Sequence, residues 1–237
     1  MTRVLGVDAR QPDAWVAVEL QDGSLAAIRR FDQLDELLDA AEGADTIAVD
    51  VPIGHDDPEG NQRDGRRRAD VAAREALGEA GERVFWTPPL AVFEVDSYEQ
   101  ACRIAEEQGC PQPAEPMFAG RQRLLAVNEA AGDDHRIVEM HPEVSYLALN
   151  DARGEGGPLE TYGRGARATY ERLTLLAEAG LRPTRSLGGV GRMSPRDVLD
   201  ASIAAWSAHR VAEGEAGRLP EVPDEDPQTG RPVAIHV

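Results

Sequence analysis

The sequence predicts an α/β fold: a mixed central sheet flanked by helices, with a helical insertion after the fourth strand. Three observations carry this. Apolar runs typical of strands open the chain, and an Asp-Gly turn signal lies between two of them. A segment of helical period then leads into a further apolar run. Finally, a polar block rich in turns and helices, roughly 55–132, precedes the next extended run. We expect one domain spanning 1–237, with that block as an insertion.

Arg3 to Asp8 is a short apolar run suited to a buried strand, and Ala14 to Leu20 is a second, rich in Trp and Val. Gln21-Asp22-Gly23-Ser24 follows as a hairpin turn, and Leu25 to Arg30 makes the third strand. From Phe31 to Ala41, apolar Leu34, Leu37, Leu38 and Ala41 recur with a helical period. Thr46 to Val51 is the fourth run, closed by Pro52. A strand reached through a helix after a meander is expected to pair in parallel across the crossover.

In the insertion, Asp56 to Arg66 is polar and turn-rich. Arg67 to Leu77, Ser97 to Gln108 and Gly120 to Ala130 read as helices, Trp86 to Pro89 as a loop, and Pro111 to Pro116 as irregular. Arg136 to Met140 resumes an extended run, stopped at His141-Pro142 because the residue before proline disfavours helix. Helices are expected at Glu143 to Asn150, Ala166 to Ala179 and Pro195 to Glu213, with a loop at Gly154 to Pro158. Gly-rich Gly188 to Gly191 leads into the last helix. The tail from Arg218 is Pro-rich and acidic, ordered only by packing on the body.

Apolar residues make up 41 % of the chain, enough for an ordinary core. No run approaches the ~18 apolar residues that a bilayer span needs. No basic region, apolar core and cleavage site follow one another at the start, so no signal peptide is expected. Cys102 and Cys110 lie in one polar stretch without metal-type spacing, which points to reduced thiols in a cytoplasmic protein. Acidic residues number 43 against 25 basic ones, for a net charge of −18, and every basic residue is arginine. Such a charge repels nucleic acid at low salt. One reading is a substrate that is not a long polyanion. The other is an acidic proteome in a salty cell interior, where ions screen the repulsion. The even spread of acids and the total lack of lysine favour the second.

Phosphodiester hydrolysis needs a more basic attacking water and a neutralised leaving oxygen. Two divalent cations ~4 Å apart supply both, and hard cations such as Mg²⁺ take carboxylate oxygens. Ends of adjacent strands, with a helix packed on them, are a rigid way to converge carboxylates. Asp8 ends the first strand-like run and Asp50 sits near the end of the fourth. An acid in such a run is costly to bury unless it is paired or on metal. In the last helix, Asp197 and Asp200 share a face at i and i+3. Ala201 and Ala204 continue that face and let the helix approach the sheet closely. Blander roles stand beside each. Asp8 opens the polar Asp8-Ala9-Arg10 and would serve a turn there; Asp50 would close a strand through an Asx-type turn. Ser194-Pro195-Arg196-Asp197 has the order of a capping box, which would explain Asp197 alone. No cap explains Asp200.

Gly6-Val7-Asp8 with Trp15-Val16-Ala17-Val18, then Val49-Asp50-Val51-Pro52-Ile53-Gly54, resemble the opening of domain-of-unknown-function family 429, predicted ribonuclease H-like nucleases. Arg67-Arg68-Ala69-Asp70 with Arg74 and Leu77-Gly78, Val84-Phe85 with Pro88, and Gln122 resemble its next segments in order. Val138-Glu139-Met140-His141-Pro142-Glu143-Val144-Ser145-Tyr146 is similar to its most specific signature, and Asp197-Val198-Leu199-Asp200-Ala201 to its D-V-L-D-A. The resemblance runs from about Val4 to the C-terminus. It departs where the family has a cysteine and this chain has Ala69, so that cysteine is not essential chemistry. It departs again where a lysine is missing, with Arg164 or Arg167 as stand-ins.

The resemblance implies a ribonuclease H-like fold. It also implies Mg²⁺ or Mn²⁺ held by Asp8, Asp50 and Asp200, with or without Asp197, and a nucleic acid or nucleotide substrate. The D-x-x-D pair resembles that of Holliday-junction resolvases in the superfamily. Glu139 and His141 alternate with Val138 and Met140 on one strand face. Glu139 is a candidate for a further ligand or an acid behind the ligands, and His141 for an orienting group or proton shuttle. The alternative is a structural His-Pro-Glu turn, with Glu143 capping the next helix. Arg67, Arg68, Arg74, Arg121 and Arg123 are candidates to clamp phosphate, unless solvated or paired with the many acids. Gln122 joins Arg67 and Arg74 as a substrate-binding candidate. His55 is expected at the surface.

Three functions compete. The first is a metal-dependent phosphodiester hydrolase. The second is a non-catalytic metal-binding scaffold of the same fold. The third is a nucleotide-dependent phosphotransferase, which ranks lowest because Asp8-Ala9-Arg10-Gln11-Pro12 lacks the glycines of a phosphate loop.

Overall fold

Hydrophobic runs of Val, Ala and Leu form three antiparallel strands, β1 (Arg3–Gln11), β2 (Ala14–Gln21) and β3 (Ser24–Phe31), in a computed structural model. It describes residues 1–11, 14–55, 65–163, 165–183, 190 and 193–237. Asp22 (φ 47°) and Gly23 (φ 72°) hold the two central positions of the β2–β3 turn, where a tight hairpin requires positive φ. Helix α1 (Leu34–Ala40) buries Leu37 and leads to β4 (Thr46–Val49), parallel to β1. Next come α2 (Arg68–Leu77), α3 (Tyr98–Glu107), α4 (Glu115–Ala119) and α5 (Arg121–Asp133). Strand β5 (Ile137–Glu139) pairs in parallel with β4. Then follow α6 (Pro142–Ala152), α7 (Ala166–Glu178) and α8 (Pro195–Glu213), and a two-stranded ribbon of β6 (Arg218–Leu219) and β7 (Ile235–His236). The main sheet has the order β3-β2-β1-β4-β5. It is the expected mixed α/β sheet with helices, consistent with the ribonuclease H-like arrangement.

Some boundaries differ from the sequence reading. β1 does not stop at Asp8: pairing with β2 resumes at Gln11–Ala14 after an irregularity in register. Asp8 therefore lies within a strand, not a turn. β4 ends at Val49, two residues earlier than expected, and Phe31 belongs to β3, not to the first helix. Glu115 and Pro116 open α4 in a stretch expected to be irregular, since proline's fixed φ suits a first helical turn. Pro12, Arg164, most of the turn-rich 56–66 segment and all of Gly188 to Gly191 except Val190 lie outside the described residues.

The chain divides into two compact units: Met1–Val51 with Arg136–Gly217 and His236–Val237, and Pro52–His135 with Arg218–Ile235. In the first, α8 packs on β1, β2 and β4, and Ala201, Ala204, Ala205 and Ala208 are all fully buried. The approach is so close that a Cβ on Gly6 would lie 1.9 Å from the Ala205 nitrogen and 2.4 Å from the Ala201 oxygen. Only glycine fits there.

In the second unit, buried Arg67 donates to the Gly54 and Ile53 carbonyls at 3.1 and 2.8 Å and pairs with Asp70 at 3.0 Å. Asn128 donates to the Pro52 carbonyl at 2.8 Å and accepts from the Gly54 amide at 2.9 Å. Asp226 accepts from the His55 amide at 2.9 Å, and Val233, Ala234 and Ile235 are buried in the tail. His55 is thus buried, not at the surface as expected. Among the described residues, no helix is long and apolar enough to cross a membrane.

Candidate metal centre

Register places the first two acids. β1 and β4 run parallel with Val7 opposite Val49, so the next residue of each, Asp8 and Asp50, emerges at the same end. The Asp50 amide donates to the Val7 carbonyl at 3.1 Å and fixes the backbone there. The third acid comes from α8, which its alanine face and Gly6 draw onto the sheet. Carboxylate oxygens of Asp8, Asp50 and Asp200 all lie within 4.8 Å of one another. Asp8 and Asp200 are 1 % and 0 % exposed, and Asp50 is half-buried.

At ~5 Å and an effective dielectric of ~20, each like-charged pair costs about 3 kcal/mol. Convergence therefore demands positive charge. Three hard oxygen donors, two of them shielded from water, suit a divalent cation that prefers carboxylates. Asp197 adds a further donor. It is 1 % exposed, and neither of its oxygens has a hydrogen-bond partner among the described residues. Capping does not account for it: the Ser194 hydroxyl accepts from the Arg196 amide at 3.3 Å. Asp197 lies outside the three-acid group, one turn toward the start of α8.

Behind Asp200 runs a chain of buried charges. Arg196 donates through Nε to Asp200 Oδ2 at 3.1 Å and lies 3.7 Å from Glu143. Arg172 donates to the same Glu143 oxygen, Oε1. The two guanidiniums stack over aromatic rings, Arg172 on Tyr146 at 5.4 Å and Arg196 on Tyr162 at 4.9 Å. The Tyr146 hydroxyl donates to the Leu199 carbonyl at 3.2 Å. Burial pushes that hydroxyl well above its ordinary range, with Asp200 adding to the effect, so it stays protonated.

Sequence reasoning assigned no role to Arg196 or Arg172, and it did not reveal that Glu143 pairs with Arg172. Arg196 and Asp200 stand at i and i+4, a spacing that signals a helix pair. Glu143 and Arg172 are 29 positions apart and give no local signal.

Glu139 is buried opposite Val49 on β5, and half-buried His141 precedes the first turn of α6; neither belongs to the three-acid group. Arg67, Arg74 and Gln122 belong to the second unit. Arg67 holds backbone carbonyls, Arg74 stacks on Trp86 at 4.3 Å and donates to the Val84 carbonyl, and Gln122 is exposed. Arg68 pairs with Asp224 at 2.6 Å, and Arg121 donates to the Val95 carbonyl at 3.1 Å.

Fold and centre together define a class: mixed α/β proteins whose central strands and one packed helix converge carboxylates able to hold a divalent cation. The chain belongs to the family described as Protein of unknown function (DUF429), whose model matches residues 6–225. No curated protein matches the chain, and neither does any solved structure.

Proposed function

We propose that this protein is a metal-dependent phosphodiester hydrolase, a nuclease of the ribonuclease H-like kind, using Mg²⁺ or Mn²⁺. One observation carries the reading: three carboxylates, one within β1, one directly after β4 and one on α8, meet in a largely buried cluster. A divalent cation held there would activate water and neutralise charge on the phosphate and leaving oxygens. Asp8, Asp50 and Asp200 would hold it. Asp197, buried and with no hydrogen-bond partner on either oxygen among the described residues, would add a donor one turn along α8. β1 and β4 fix two of the three ligands on rigid backbone, which keeps the geometry set before substrate arrives. Asp50, the half-buried member of the three, would be the ligand most open to an arriving substrate.

A phosphotransferase would need a phosphate-gripping loop after the first strand. Only two residues separate β1 from β2, and neither is glycine. The test is cleavage of single-stranded, duplex and branched DNA or RNA with Mn²⁺. Wild type should cut at least one substrate, and Asp50→Asn and Asp200→Asn should lose about 100-fold or more in rate, as removal of a charged group acting on the transition state does. Equal rates in wild type and both variants would remove the proposal. Metal binding without cleavage of any substrate would leave the scaffold reading.

A further inference from the structure

The cation that the centre needs is partly supplied by the chain itself. Arg196 is only 6 % exposed, and its Nε lies 3.1 Å from Asp200 Oδ2. We infer that Arg196 is the internal counter-ion of the carboxylate centre, a positioning residue that neutralises Asp200 in metal-free protein and thereby limits how tightly a cation is taken up. The inference rests on the metal reading above.

Three features single out this arginine. Its neighbours are charged and aromatic: Glu143 lies 3.7 Å away, Arg172 pairs with Glu143, and the Tyr162 ring lies 4.9 Å from the guanidinium. Its charge cannot be switched off, because a guanidinium stays protonated in proteins. And its partner is itself one of the three clustered acids, not a bystander.

Charge counting gives the consequence. Asp8, Asp50, Asp197, Asp200 and Glu143 are five acids, and Arg172 and Arg196 are two bases. Without Arg196, the metal-free cluster loses the positive charge that lies against a ligand. With it, an incoming cation meets a like charge beside that ligand. What Arg196 contributes to the metal-free state is therefore withheld from cation affinity, since coupling between two partners of one group is reciprocal. An arginine that merely packs would support both states equally.

The experiment compares full-length wild type, Arg196→Gln, Asp200→Asn and the double variant Arg196→Gln/Asp200→Asn. Thermal unfolding is read in EDTA and in saturating Mn²⁺, and Mn²⁺ affinity by calorimetric titration. Arg196→Gln should melt well below wild type in EDTA, regain most of the loss with Mn²⁺, and bind Mn²⁺ about tenfold tighter. The double variant should melt above Arg196→Gln in EDTA, because the carboxylate left without its counter-ion is gone. Equal losses for Arg196→Gln in EDTA and Mn²⁺, or Mn²⁺ affinity no tighter than wild type, would overturn the inference. If Arg196→Gln fails to fold, the double variant decides: folding supports the inference and failure to fold overturns it. A wild type that gains no stability and binds no Mn²⁺ would instead sink the metal reading, whereas the EDTA comparison would still report the charge pairing.

Discussion

At the scale of single residues, the protein is governed by buried charge. Arg172 and Glu143 are 1 % and 2 % exposed, and removing Arg172 takes from Glu143 a close charged partner that Arg196, 3.7 Å away, does not replace. Arg172→Met should lower unfolding free energy by about 3 kcal/mol or more in urea titrations; a loss below about 1 kcal/mol would mean that the pair is effectively solvated. His55 sets a pH dependence. Burial, reinforced by the Arg67 charge and opposed by Asp226, lowers its pKa from 6.5 to about 3. Above pH 6.5 both folded and unfolded states carry it neutral, and its contribution is complete. Between 6.5 and 3 the unfolded chain binds the proton first, so stability falls by about 1 kcal/mol per pH unit. His55→Gln should flatten that slope in chemical denaturation at pH 7, 6 and 5; an unchanged slope would contradict it. Asp8, Asp50 and Asp200 were legible in sequence because an acid in an apolar run or deep on a helix face demands compensation. The burial of His55 was not, because its Asp226 partner lies 171 positions away.

At the scale of elements, the centre depends on how closely α8 approaches β1. A Cβ at Gly6 would sit 2.4 Å from the Ala201 oxygen, within one residue of Asp200. Gly6→Ala must push the helix outward. We expect a loss of about 1–3 kcal/mol by denaturant unfolding, typical of overpacking, together with weaker Mn²⁺ binding in titration. Stability lost without any change in affinity would show that α8 does not place the ligand. The small residues of α8 and the apolar runs of β1, β2, β3 and β4 were readable, because strand and helix periods impose themselves on composition. The extension of β1 to Gln11 was not. Ala9-Arg10-Gln11 is unremarkable as a run, and it is extended because β2 turns back to pair with it.

At the scale of the whole molecule, charge is the dominant feature. A net charge of −18 with no lysine implies strong self-repulsion at low ionic strength. Raising KCl from about 0.1 to 1 M cuts the Debye length from ~10 to ~3 Å, so the melting temperature should climb by several degrees in a salt series; a fall would contradict this reading. The mixed sheet with a parallel pair across the crossover followed from the sequence, because a meander and a crossover helix leave few topologies, whereas the order β3-β2-β1-β4-β5 was not read from it. The block 55–132 set apart in the sequence falls within the unit formed by 52–135, but the joining of the C-terminal segment 218–235 to that unit was not legible. That pairing joins segments distant in sequence, through contacts such as Asp226 with the His55 amide. The central claim is that Asp8, Asp50 and Asp200 form one cation site. Anomalous diffraction from a crystal soaked in Mn²⁺ tests it most directly. A peak coordinated by all three carboxylates is predicted, and its absence there, with Mn²⁺ bound only at surface acids, would contradict the account.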